Sequence, residues 1–94
     1  MLVPGQLVQS AAGRDCGKWM IVMKVLDENY MLLCDGKLRK INNLKKKKIK
    51  HIKKTNIVFN ELQDKIMQGY ITDIEIRKKI ADYCNTKKGR KADK

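Results

Sequence analysis

The chain has 94 residues, 43% of them hydrophobic and only 5% aromatic, and a net charge of +12. That length holds one small domain with a modest core and leaves no room for a second, and no apolar run approaches the ~20 residues of a membrane span. The charge is concentrated. Residues 1–36 sum to −1, residues 37–55 carry ten basic side chains and no acidic one, and residues 56–94 sum to +3. A block of this kind reads as the footprint of a polyanion. A charge run is more often a solvated face or a tail. Here Ile41, Leu44, Ile49 and Ile52 interrupt it with apolar side chains that a tail does not need. A membrane surface fits less well, because the run lacks an amphipathic helix with bulky aromatics on one side. Nucleic acid is the expected partner.

In chain order, the turn dipeptide Pro4-Gly5 precedes a brief strand over residues 6–9. Residues 10–17 are small, polar and glycine-containing, and are expected to form a loop. Residues 19–26 give the strongest strand, apolar except at Lys24. Asp27-Glu28-Asn29 is a hairpin connection to a further strand over 30–34, closed by the Asp35-Gly36 turn. Residues 37–41 are expected to be another strand with imperfect alternation, and 49–53 a last short one. Close-spaced short strands predict a small barrel. The strands at 19–26 and 30–34 are too apolar to leave a face in water, so something else must cover part of them.

The period then changes. Residues 60–68 read as a helix with Leu62, Ile66 and Met67 on one stripe, and Gly69 stands at its C-terminal cap. Thr72-Asp73-Ile74-Glu75 is a capping box, with Ile71 and Ile76 placed as a hydrophobic staple. The second helix is expected to run to about Cys84, with Ile76, Ile80, Tyr83 and Cys84 as its buried stripe. The predicted organisation is a barrel with its basic segment over 1–55, a helical extension packed on it over 56–86, and a disordered basic tail over 87–94.

No catalytic constellation is expected. His51 stands in the lysine block and reads as a rim residue or one more nucleic-acid contact. Cys16, between Arg14 and Lys18, has no partner base and reads as a spectator. Cys34 and Cys84 read as small buried apolar residues. Three cysteines at wide spacing and a single histidine predict neither a zinc site nor a disulfide. No cofactor and no small-molecule substrate are expected. The segment 13–18 lacks the full phosphate-loop pattern and does not lead into a helix. The start, Met1 to Gly5, has no basic n-region or apolar h-region, so a cytoplasmic, reducing location is expected.

One pattern carries more. Gly5-Gln6-Leu7-Val8 opens a strand, a polar loop follows, Gly17 closes it, Lys18 comes next, and then the apolar strand from Trp19. This resembles the KOW motif of ribosomal proteins and transcription elongation factors. Taken with the Asp-Gly turn, the lysine block and Ile49-Lys50-His51-Ile52, the chain is similar to bacterial KOW-domain RNA-binding proteins. Those in turn resemble a group of KOW-containing large-subunit ribosomal proteins of eukaryotes and archaea. Cys16 and Trp19 depart from the usual residue types at their positions.

The resemblance implies a mainly β fold: a small SH3-like barrel followed by two short helices. It also implies a ribosome-associated, rRNA-binding role in translation, without catalysis. Ribosomal proteins are then additional expected partners. With few arginines, contacts are expected to be mostly to phosphate. The expected contact residues are Lys37, Arg39, Lys40, Lys45, Lys46, Lys47, Lys48, Lys50, His51, Lys53 and Lys54, with Arg14 and Lys18 on the loop as a second point. Arg77, Lys78 and Lys79 extend the basic surface. Trp19 is expected in the core rather than stacked on a base. The competing reading is a KOW protein-interaction module whose lysines only solvate it.

Overall fold

A computed structural model describes residues 2–14 and 16–92, with side chains through residue 85. The chain folds into a five-stranded antiparallel sheet of order β4-β3-β2-β1-β5, with two helices. The strands are β1 (Gln6–Ser10), β2 (Trp19–Val25), β3 (Tyr30–Cys34), β4 (Lys45–Lys48) and β5 (Ile52–Val58). A 3-10 turn, Ile49–His51, joins β4 to β5, which lie at opposite edges of the sheet. The helices are α1 (Asn60–Gln68) and α2 (Asp73–Ala92).

Period-two alternation sorts the strands onto two faces. Val8, Met20, Val22, Met31 and Leu33 form one buried cluster, with Ile49 and Ile52 packed against it. Leu7, Ile21, Met23 and Cys34 point the other way and meet Leu62 of α1 and Ile76 of α2. The helices are thus the cover that the two apolar strands require. Full burial of side chains such as Leu62 and Ile76 is worth about 1.5–3 kcal/mol each, which docks both helices on the sheet. Ile66, Ile80 and Tyr83 continue that contact. Met67 does not: it stands 72% exposed, off the stripe of α1.

Local signals place the helices. Gly69 closes α1 in the left-handed conformation, its N–H reaching Lys65 and Ile66 carbonyls. The capping box forms as read: the Glu75 N–H donates to Thr72 Oγ1 at 3.3 Å, and the Thr72 N–H donates to Glu75 Oε1 at 3.2 Å. Lys65 and Glu75 pair between the helices, as do Lys79 and Glu61 at 2.8 Å.

Four expectations need correction. Residues 37–41 are not a strand. The Asp35 carboxylate accepts the N–H groups of Lys37 and Arg39, both at 2.9 Å, and curls the chain into a turn. The strand lies later, in Lys45–Lys48, whose four identical residues carry no alternation of their own. Pairing with β3 specifies it: Leu33 faces Lys45 and Met31 faces Lys47. The last strand likewise begins after the 3-10 turn and extends to Val58. Finally, α2 runs past Cys84 to Ala92. Residues 85–92 contain no proline and several good helix formers, so nothing stops the helix. Of the tail expected over 87–94, residues 87–92 belong to α2, and Asp93 and Lys94 lie outside the described residues.

Candidate nucleic-acid interface

The loop of residues 11–18 is tied down at its base and along its side. Gly17 takes φ +92°, a conformation that favours glycine. Its N–H donates to the Ser10 carbonyl at 2.7 Å, while the Ser10 N–H donates to the Lys18 carbonyl at 2.9 Å. The Ala11 N–H reaches the His51 carbonyl at 2.8 Å, and Lys47 Nζ reaches the Ala12 carbonyl at 2.7 Å. The loop therefore rests on β4 and on the turn that follows it. Cations 30 residues apart in sequence become one surface.

A groove of about 500 Å³ opens where these pieces meet. Arg14 and Lys18 come from the β1–β2 loop, Arg39 from the β3–β4 loop, and Lys45 and Lys47 from β4. Among the described residues, Asp35 is the carboxylate in its lining, and Asp35 is also the residue that sets the turn carrying Arg39. A second hollow runs along β4 beside Tyr30 and His51 and shares Gly13, Lys45 and Lys47 with the first. Lys46 lies 4.6 Å from the centroid of the Tyr30 ring. Lys48 and Lys50 line a third hollow with Glu28 and Tyr30.

The four lysines of β4 are not equivalent. Lys46 and Lys48 are exposed, Lys45 is half-buried, and Lys47 is 8% exposed. Lys47 faces the same side as Met31, its partner across the ladder, so its stem is buried and its ammonium serves the Ala12 carbonyl. Lys53 and Lys54 are exposed but sit on β5, opposite Gln9 and Val8. Lys40 is exposed in the β3–β4 loop. Lys37 is exposed on a neighbouring groove with Trp19 and Arg77. His51 is half-buried in the 3-10 turn. Lys79 is engaged with Glu61 and lies 5.7 Å from the Phe59 ring centroid. Trp19 is half-buried against the helix-covered cluster and meets Tyr83 edge-on, ring centroids 5.3 Å apart.

Two participants escape a reading of charge alone. Tyr30 gives Lys46 an aromatic face; its place at the start of β3, beside the hairpin, was the available signal. Asp35 organises cations although it is itself an acid. Among the thiols, burial pushes Cys34 up to about 11, with Asp73 and Asp35 adding to the effect. Cys16 stands exposed in the loop. Among the described residues no group of three or more His, Cys, Asp or Glu side chains is placed to hold a metal ion. The chemistry on offer is that of fixed cationic donors around shallow grooves. No protein-family model matches this chain, and a search of curated proteins returns no significant match.

Proposed function

We propose that this chain is a KOW-type RNA-binding protein that holds the phosphate backbone of structured or ribosomal RNA with its β1–β2 loop and β4. The observation carrying the reading is the shared groove. Arg14 and Lys18, on the loop closed by Gly17, line the same cavity as Arg39 and Lys45. Arginine offers a planar fork and lysine a compact point charge, and both suit phosphate oxygens. The binding is driven by backbone charge, and RNA shape supplies selectivity.

The barrel form belongs to the same proposal. Strands β4 and β5 lie at opposite edges of five strands, yet three residues join them. Four inter-strand spacings of a flat sheet measure about 19 Å. Four peptide steps reach about 14 Å when fully extended, and a 3-10 turn rises only about 2 Å per residue. A sheet that curls until its edges approach meets this constraint, which supports an SH3-like barrel.

The test is a titration of a labelled RNA hairpin at several salt concentrations, with duplex DNA as competitor. The expected result is tighter binding to the hairpin and a linear loss of log K with log salt. In cell lysate, the protein should sediment with ribosomal fractions and leave them after nuclease treatment. Partner capture unaffected by nuclease, with no hairpin binding at low salt, would instead establish a protein-interaction module.

A further inference from the structure

The neighbouring groove that Lys37 lines adjoins the phosphate groove, and its lining is of another kind. Trp19, Leu38, Ile80 and Ala81 supply its apolar lining, and Lys18, Lys37, Arg77 and Asp35 line it as well. Its volume is about 380 Å³. Leu38 is 67% exposed on the β3–β4 loop. That position is held firmly: the Asp35 carboxylate fixes Lys37 and Arg39 on either side of it. The Ile41 N–H donates to Asp73 Oδ1 at 2.7 Å, which binds the loop to the start of α2. Gly36 lies so close to α2 that an added Cβ would stand 2.3 Å from the Asp73 carbonyl oxygen. The loop is pinned to the helix, and still presents a leucine to water.

We propose that this groove docks an acidic protein segment through one bulky apolar side chain. The lining is mostly hydrocarbon and offers few polar groups to read the edge of a base. It suits an aliphatic or aromatic anchor from a peptide. Lys18, Lys37 and Arg77 are in no ion pair among the described residues, so these cations complement Asp and Glu flanking such an anchor. The site is distinct from the RNA reading. It shares Lys18, Asp35 and Leu38 with the phosphate groove, so an acidic segment seated here competes with RNA for Lys18.

Trp19 is the chain's single tryptophan, and it lines this groove, so its emission reads occupancy directly. The probe is a short peptide with one Phe between runs of Glu, compared with the same peptide carrying Ala in place of Phe. The expected result is a blue shift of Trp19 emission on titration with the Phe peptide. Affinity should fall about tenfold or more for the Ala peptide and by a similar factor for Leu38→Ser. Leu38→Ser should keep its melting temperature, because this side chain is 67% exposed and largely outside the core. Equal affinity for the Phe and Ala peptides would reduce the contact to charge alone and overturn the proposal. So would an emission shift produced by single-stranded RNA and not by the Phe peptide, which would give the groove to a nucleobase. Loss of hairpin binding in wild-type protein with the peptide response intact would remove the RNA reading and leave this one standing.

Discussion

Four consecutive lysines in β4 allow a clean dissection, because the pleat assigns them different tasks. Lys46→Ala with Lys48→Ala removes two exposed cations. Lys47→Met instead removes a buried donor and keeps an apolar stem. If Lys46 and Lys48 each hold a phosphate, the double variant lowers the slope of log K against log salt by about 1.4–1.8, at ~0.7–0.9 per contact. Its stability should change by no more than about 1 kcal/mol, which includes the cation–π contact to Tyr30. Lys47→Met loses a charged hydrogen bond to the Ala12 carbonyl, a change of about 1.5–3 kcal/mol. In a domain of this size that lowers Tm by on the order of 10 °C. Hairpin binding followed by fluorescence anisotropy at several salt concentrations, with a thermal melt of each variant, reads both effects. An unchanged salt slope in the Lys46/Lys48 variant with intact circular dichroism would move the RNA surface elsewhere. A wild-type Tm in Lys47→Met would refute the structural role of that side chain.

Three further outcomes follow from the geometry. Gly17→Ala should cost about 1–2 kcal/mol for its left-handed backbone alone, since the space around it is open. Gly36→Ala adds a collision with the backbone of Asp73 and Arg77, so its loss in denaturant unfolding should be larger, roughly 2–5 kcal/mol. Lys65 and Thr72 hold the Glu75 carboxyl below its usual range, and Lys79 does the same for Glu61. Their contribution is complete above the ordinary carboxylate range and is lost as pH falls through the lowered values. Thermal melts should therefore decline below about pH 4.5, and Glu75→Gln should flatten that decline; parallel curves for the two proteins would contradict the assignment. At neutral pH a thiol reagent should label Cys16 quickly and leave Cys34 unmodified in the native state, because Cys34 is buried with its pKa raised to about 11. Labelling of both at equal rates would show that the helix-covered face opens readily.

Strands β2 and β3 and the start of α2 were legible because each has a local cause. An apolar run with turn residues at its ends marks Trp19–Val25 and Tyr30–Cys34, and the capping box marks the start of α2. Strand β4 was not legible, since four lysines have no hydrophobic period and take their register from Met31 and Leu33 across the ladder. The stretch 37–41 misled for the opposite reason. Its composition tolerates a strand, but Asp35 and Asp73 capture its N–H groups from outside it. Within the candidate site, charge density marks the segment and does not rank its members. That Lys47 is buried while Lys46 lies over Tyr30 depends on pleat and loop contacts between residues far apart in sequence.

The sheet order has a consequence for how the chain is made. Strand β1 lies between β2 and β5, so one of its edges is satisfied early and the other waits. As the chain emerges, β1–β2, β2–β3 and β3–β4 are each neighbours in sequence and can pair in turn. The remaining edge of β1, with Leu7 and Val8 in it, stays open until Ile52–Val58 has been synthesised. Open apolar edges invite pairing with other chains, whereas an edge of lysines such as β4 repels them. A nascent chain halted within the basic block would thus carry one guarded edge and one adhesive edge. Closure comes with the segment after it: the Phe59 N–H donates to the Gly5 carbonyl at 3.0 Å, and Gln63 Nε2 to the Pro4 carbonyl at 2.9 Å. Of the five strands in this sheet, the earliest in sequence is the last to complete its hydrogen bonds.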